Sequence, residues 1–165
     1  MKRFQTKRRV PHSAEQMFNL VADVESYPEF VPLCEGLRVR GRKVVDGHDV
    51  LTTDMMMGYK AISETITCEV MFVPNENRIE VRYLDGPFSR MENRWQFHPV
   101  EGGGCIVEFY IAYKLRSAML GFLVSQLFDR AFSRFAGAFE ARARRIYGRV
   151  PRGTKPVGGA AAAQG

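Results

Sequence analysis

Apolar and polar positions alternate with a period of two through the middle of this chain and with a helical period near its two ends. Phe4 to Val10 reads as a strand, stopped by Pro11. Ser13 stands three residues before Gln16, the spacing at which the two side chains cap a helix reciprocally. Met17, Phe18, Leu20, Val21 and Val24 then recur at helical spacing, which predicts a short amphipathic helix to about Val24. Pro28 and Pro32 forbid its continuation, because a proline lacks the N–H and clashes with the preceding turn. The segment SYPEFVPLCEG is therefore predicted as a single turn or irregular loop, although it carries Tyr27, Phe30, Val31 and Leu33.

The middle is strand after strand. Leu37–Val45 and Val50–Met57 flank Asp46-Gly47, a strong hairpin dipeptide. Ile62–Phe72 puts Ile62, Ile66, Cys68, Val70 and Phe72 on one face, with Glu64 intruding among them. Ile79, Val81 and Tyr83 alternate with charges. Met91, Trp95 and Phe97 share a face with Asn93, and Cys105, Val107, Phe109, Ile111 and Tyr113 form the next alternating set. Short turns at Pro74–Asn77, Asp85–Pro87 and Gly102–Gly104 imply an antiparallel meander. A long helix closes the pattern, from a candidate cap at Ser117 to about Tyr147, where Gly148 and Pro151 end it. It carries the stripe Phe128, Phe132, Phe135, Phe139 and Ile146 beside a second stripe of Leu120, Val124, Leu127 and Ala131. A sheet with one apolar face must cover it, and this helix is the one element long enough. The expected architecture is α+β: a curved antiparallel sheet wrapped around the C-terminal helix, a helix grip, with a lipid-sized cavity between them.

Composition adds limits. With 45% apolar and 25% charged residues in 165, the chain suits one globular domain, expected over residues 1–148, followed by a Pro/Gly/Ala-rich tail at 149–165 expected to be disordered. Three cysteines without a CxxC pair and three scattered histidines offer no compact metal site or disulfide framework. No GxSxG is present, and Gly102-Gly103-Gly104 precedes a strand, whereas a phosphate loop precedes a helix. With no apolar run of signal-peptide type near Met1 and free cysteines, a reducing cytoplasm is the expected location, with peripheral contact on the inner face of the cytoplasmic membrane.

The formal net charge is +6, and the basic residues gather at the ends: Lys2, Arg3, Lys7, Arg8 and Arg9, then Arg142, Arg144, Arg145, Arg149, Arg152 and Lys155. Solvated ends are the ordinary reading. Lys7, Arg8, Arg9, Arg144, Arg145 and Arg149 are the candidates for touching anionic lipid or RNA phosphates.

VADVESYPEFVPLCEG, YLDGPFSRMENRWQFHP and the helix end AFEARARRIYG together resemble the coenzyme Q-binding START-domain family, which includes the bacterial ribosome association toxin proteins. The likeness covers about residues 3–148. Leu33 stands before Cys34 where that family usually has Trp. The resemblance implies a helix-grip domain that binds a polyisoprenoid quinone, ubiquinone, as a chaperone or carrier supporting respiratory electron transport. It implies no established reaction and no cofactor beyond that ligand. Its other branch implies binding to the large ribosomal subunit and inhibition of subunit association.

On this reading Trp95, Phe97, Phe109, Ile111 and Tyr113 are either plain core or one wall of the cavity, joined by Ile62, Ile66, Met55 and Met57, methionine being adaptable to irregular ligands. Tyr27, Phe30, Val31, Leu33 and Phe88, apolar residues on loops, are expected either to cap the core or to form a common mouth or membrane-contact lip beside Leu120, Leu123, Val124 and Leu127, and together with Leu120, Phe122 and Leu123 to dip into a bilayer surface. Glu64 is expected to pair with an arginine or to hydrogen-bond a quinone headgroup, and Asn93 and Tyr113 are alternative polar anchors. An enzyme acting on an aromatic polyketide would need Glu64 or a histidine as base.

Overall fold

The computed structural model describes residues 1–117 and 121–148. The chain runs β1 (Lys2–Val10), α1 (Ala14–Ala22), a 3-10 segment (Val24–Glu29), then β2 (Cys34–Val45), β3 (His48–Tyr59), β4 (Ile62–Val73), β5 (Arg78–Asp85), β6 (Phe88–Pro99) and β7 (Cys105–Leu115), and ends in α2 (Gly121–Tyr147). The expected cap at Ser117 adjoins residues 118–120, which lie outside the described residues, as do Leu120, Arg149 and the whole of the tail at 149–165.

The local signals act as their chemistry requires. Ser13 accepts from the Gln16 N–H at 3.0 Å, and the Gln16 side chain accepts from the Ser13 N–H at 2.9 Å. These bonds occupy two of the donors that a helix start leaves unpaired. Asp46 and Gly47 both take positive φ, 52° and 81°, the left-handed pair that matches hairpin twist. Pro28 sits inside the 3-10 segment, so the expected single turn is there.

All seven strands join one antiparallel sheet in the order β1-β7-β6-β5-β4-β3-β2. Register shifts between Cys34 and Gly36 and between Val39 and Gly41 bend β2 against β3. At the β6–β7 turn, Gly104 has φ +78°, and a Cβ there would lie 2.4 Å from the Val10 carbonyl oxygen. Glycine is required for that close approach.

α2, about 40 Å long at 1.5 Å per residue, lies across the sheet. It buries Val124, Leu127, Phe128, Ala131, Phe132, Phe135, Ala136, Phe139 and Ala143, the i, i+3/i+4 stripe of an amphipathic helix. Its C-terminal end is tied to the start of the fold. Buried His12 bonds the Gly148 carbonyl at 2.8 Å, and the Tyr147 hydroxyl donates to the Gln16 carbonyl at 3.0 Å.

Candidate functional site

Alternation on five adjacent strands stacks one side chain per register step onto the concave face. Thr53 faces Cys68 and Met55 faces Ile66 across β3–β4; Val70 faces Val81 across β4–β5. Ile79 faces Trp95 and Val81 faces Asn93 across β5–β6, and Trp95 faces Phe109 and Asn93 faces Ile111 across β6–β7. Phe132, Phe135 and Phe139 of α2 lie over this ladder; Val24, Tyr27 and Leu37 close one side, and Met91 completes the wall. The enclosed cavity measures about 90 Å³, so the space expected between sheet and helix is present but narrow.

Aromatic rings hold its shape. Trp95 lies 4.6 Å from Phe109 and 4.9 Å edge-on from Phe139, centroid to centroid, and Tyr27 packs edge-on against Phe139 at 5.3 Å. Such pairs contribute about 0.5–1.5 kcal/mol each beyond their burial. The polar atoms are few. Asn93 donates through Nδ2 to the Tyr110 carbonyl at 2.9 Å, and the Tyr27 hydroxyl donates to the Val21 carbonyl. Burial pushes the Cys68 thiol up to about 12, so it stays a neutral thiol. Among the described residues the lining holds no carboxylate and no imidazole, and what it offers is apolar surface with the Thr53 hydroxyl, the Cys68 thiol and the Asn93 amide as its polar points.

Of the residues expected to bind ligand, Tyr27, Met55, Ile66, Asn93, Trp95, Phe109 and Ile111 line the cavity. The others lie elsewhere for identifiable reasons. Phe97 is fully buried against Phe18 and Trp95, behind the wall. Met57 is fully buried, opposite Glu64, beyond the cavity end of β3. Ile62 is half-buried opposite Tyr59 at the β3–β4 turn. Tyr113 packs between Phe88, Phe128 and Phe132, and its hydroxyl donates to Asp129 Oδ1 at 2.7 Å. Burial and that carboxylate raise its pKa, so it is a structural partner of α2. Glu64 sits in a small recess with Pro87, Leu115, Arg116 and Val124 and forms no ion pair with an arginine among the described residues.

The expected common mouth is not formed. Phe30 lies 5.1 Å from Phe139 and Phe88 lies 4.7 Å from Phe128. Those helix positions are eleven residues apart, about 16 Å along the axis. The two loops thus seal opposite ends of α2, and Val31 and Phe88 are buried core. Leu33 takes a left-handed φ of 64°, and its carbonyl accepts the Gly58 N–H at 2.9 Å. This pins the loop to β3. Val124 and Leu127 are buried between helix and sheet, and Leu123 is exposed.

Among the described residues, five of the terminal cations are paired, Lys2 with Asp129 among them. Lys7 lies 4.0 Å from Glu108, and Arg8 and Arg144 share Glu140 at 3.2 and 3.4 Å. Arg142 pairs with Glu29 at 2.9 Å and covers the Phe30 ring. Arg9 and Arg145 are exposed and form no ion pair among the described residues.

Sequence reasoning missed several wall residues, Thr53 among them, and a surface cleft. Thr53 lines the cavity, and its phase with Met55 and Met57 was the available signal. A surface cleft between the β3–β4 turn and α2, lined by Tyr59, Lys60, Gln126, Asp129, Arg130, Ser133 and Arg134, joins residues about seventy positions apart, which no local pattern announces.

A curved sheet closed on one long helix over an apolar cavity defines a helix-grip, START-like domain. The chain belongs to the polyketide cyclase/dehydrase and lipid transport family, whose model matches residues 10–140. It is 34% identical over 148 residues to the ribosome association toxin RatA of Vibrio cholerae, covering 90% of this chain and 99% of that one. It is also 31% identical over 141 residues to the mitochondrial coenzyme Q-binding protein COQ10 homolog B of Xenopus laevis, covering 83% of this chain and 56% of that one. A START superfamily protein from Mycobacterium smegmatis has the same fold, with TM-score 0.72 at 22% identity over 87% of this chain and 98% of the other. No helix among the described residues is long and apolar enough to cross a membrane.

Proposed function

We propose that this domain is a non-catalytic lipid-binding protein whose ligand is a polyisoprenoid quinone, ubiquinone, carried in the cavity between sheet and α2 in support of respiratory electron transport. The observation that carries this reading is the lining itself: aromatic and aliphatic walls with a hydroxyl, a thiol and an amide, and no carboxylate or imidazole among the described residues. A prenylated ring needs apolar area, at about 25 cal/mol per Å² buried, and one or two donors for its carbonyl oxygens. Thr53 and Asn93 supply them. The relative named for coenzyme Q binding supports the ligand class.

The cavity's 90 Å³ is below the roughly 300–1,000 Å³ that encloses drug-sized ligands. Entry of a ring therefore requires the wall to move, and Met55 and Met91 are the adaptable members of it. The test is lipid extraction and mass spectrometry of the protein isolated from membrane-containing lysate, followed by titration with a short-chain ubiquinone. Thr53→Val, which keeps shape and removes the hydroxyl, should weaken binding about fivefold. Absence of quinone in the extract together with no binding of added quinone sinks the proposal.

A second reading, association with the large ribosomal subunit and inhibition of subunit joining, is favoured by the similarity to RatA along almost its whole length and by the uncompensated Arg9 and Arg145. It predicts salt-sensitive co-sedimentation with that subunit, weakened in an Arg9→Gln/Arg145→Gln variant. Unchanged sedimentation of that variant counts against the electrostatic account.

A further inference from the structure

Three cations that form no ion pair among the described residues line the cleft between the β3–β4 turn and α2. Lys60, at a left-handed φ of 55° on that turn, and Arg130 both lie over the Tyr59 ring, each 5.2 Å from its centroid. Arg134 stands one helical turn beyond Arg130 and lines the same cleft with Gln126 and Ser133. None of Lys60, Arg130 and Arg134 forms an ion pair among the described residues. The one carboxylate in the cleft, Asp129, is already engaged, by Lys2 Nζ at 2.6 Å and by the Tyr113 hydroxyl at 2.7 Å. The Ser133 hydroxyl already donates to the Arg130 carbonyl at 3.2 Å, so two guanidinium groups, an ammonium and the Gln126 amide are the donors on this concave surface.

The same flank of α2 ends in apolar residues that are exposed among the described residues. Phe122 is 76% exposed and Leu123 47% exposed. Leu123, Arg130 and Arg134 follow i, i+7, i+11, and Phe122, Gln126 and Ser133 follow i, i+4, i+11, so each apolar tip heads a polar or cationic row. Cations that hold phosphate beside rings that enter hydrocarbon are the two halves of an interfacial contact. A polynucleotide would use the cations and leave the apolar tip in water.

We infer that the Lys60/Arg130/Arg134 cleft is a headgroup-phosphate site for anionic phospholipid and that it docks the domain on a bilayer with Phe122 and Leu123 inserted. The guanidinium groups match phosphate oxygens bidentately. This deepens the lipid-carrier reading by giving the carrier a docking face, and it is tested without quinone, so the two fail separately.

The experiment is co-sedimentation of the full chain with vesicles of phosphatidylcholine alone and of phosphatidylcholine with phosphatidylglycerol, neither containing quinone. Binding is expected only to the anionic vesicles. Arg130→Gln/Arg134→Gln should weaken it about 30-fold and Phe122→Ser about tenfold. Thermal melting of all variants should match the parent, since all three positions are exposed. Equal binding to neutral vesicles, or undiminished binding of the double variant, overturns the site. So does a result in which Phe122→Ser binds anionic vesicles like the parent while the double variant loses single-stranded RNA and vesicles alike, for the cleft is then a general polyanion surface.

Discussion

The two halves of α2 face the same sheet and end up in different environments. Toward the C-terminus, Phe132, Phe135 and Phe139 line the cavity, Tyr27 and Phe30 pack edge-on against Phe139, and Arg142 clamps the 3-10 segment through Glu29. Toward the N-terminus, Phe128 meets Phe88 and Tyr113 in solid core, while Phe122 and Leu123 stand in solvent. Large apolar residues are denser in 121–131, five of eleven, than in 132–147, five of sixteen, yet the helix residues that line the cavity all come from the second stretch. Apolar content tells how much surface a helix has to bury. The shape of what faces it decides whether that burial leaves a space.

The largest expected effect separates the halves directly. Phe139→Ala removes a ring that touches Tyr27, Phe30, Trp95 and Phe135 and should cost about 3–5 kcal/mol in urea unfolding, whereas Phe122→Ala should stay within about 0.5 kcal/mol; equal costs would erase the distinction. Next, Arg142→Ala releases the clamp and the cover over Phe30. It should cost about 1–2 kcal/mol, most of it from lost stem packing and ring contact, because Glu29 is largely exposed. Raising salt should therefore change little, and a strong salt dependence would reassign the clamp to charge. At the opposite end, Tyr113→Phe deletes the bond to Asp129 and should cost about 1 kcal/mol by the same measurement without altering quinone affinity; an affinity change would return Tyr113 to the site. The smallest effect lies off the helix. Glu69 is held below its ordinary value by its hydrogen bond to Lys43, and Glu108 by its bond to His98. Their contribution is present above about 4.5 and is lost as pH falls through the lower folded values. A stability–pH profile should decline on that acid limb, less steeply in Glu69→Gln.

Nearly every element was legible because strand alternation, the Asp46-Gly47 turn and the Ser13/Gln16 cap are local signals. Part of the cavity was legible for the same reason: Met55, Ile66, Asn93, Trp95, Phe109 and Ile111 follow from phase. The misplacements share one cause. Tyr113, Phe97 and Met57 have the right phase, and phase gives the face of a strand without the height along it. Phe30 and Phe88 were expected together because both are apolar loop residues, but which end of a helix a loop covers depends on strand direction and the length of the crossing. Lys60 and Arg130 meet only in the folded chain.

Among the described residues β1 pairs with β7 alone, Lys2 opposite Tyr113 and Val10 opposite Cys105. The paired positions lie about a hundred residues apart, so β1 is made well before its partner strand exists. At about 5–20 residues per second, its exposed edge waits for seconds during synthesis. Such sequence-distant pairing places the domain among slow folders, on the millisecond-to-second scale. The basic side chains of Lys2, Arg3, Lys7, Arg8 and Arg9 guard that edge while it waits, since charge on an unpaired strand discourages pairing with another chain.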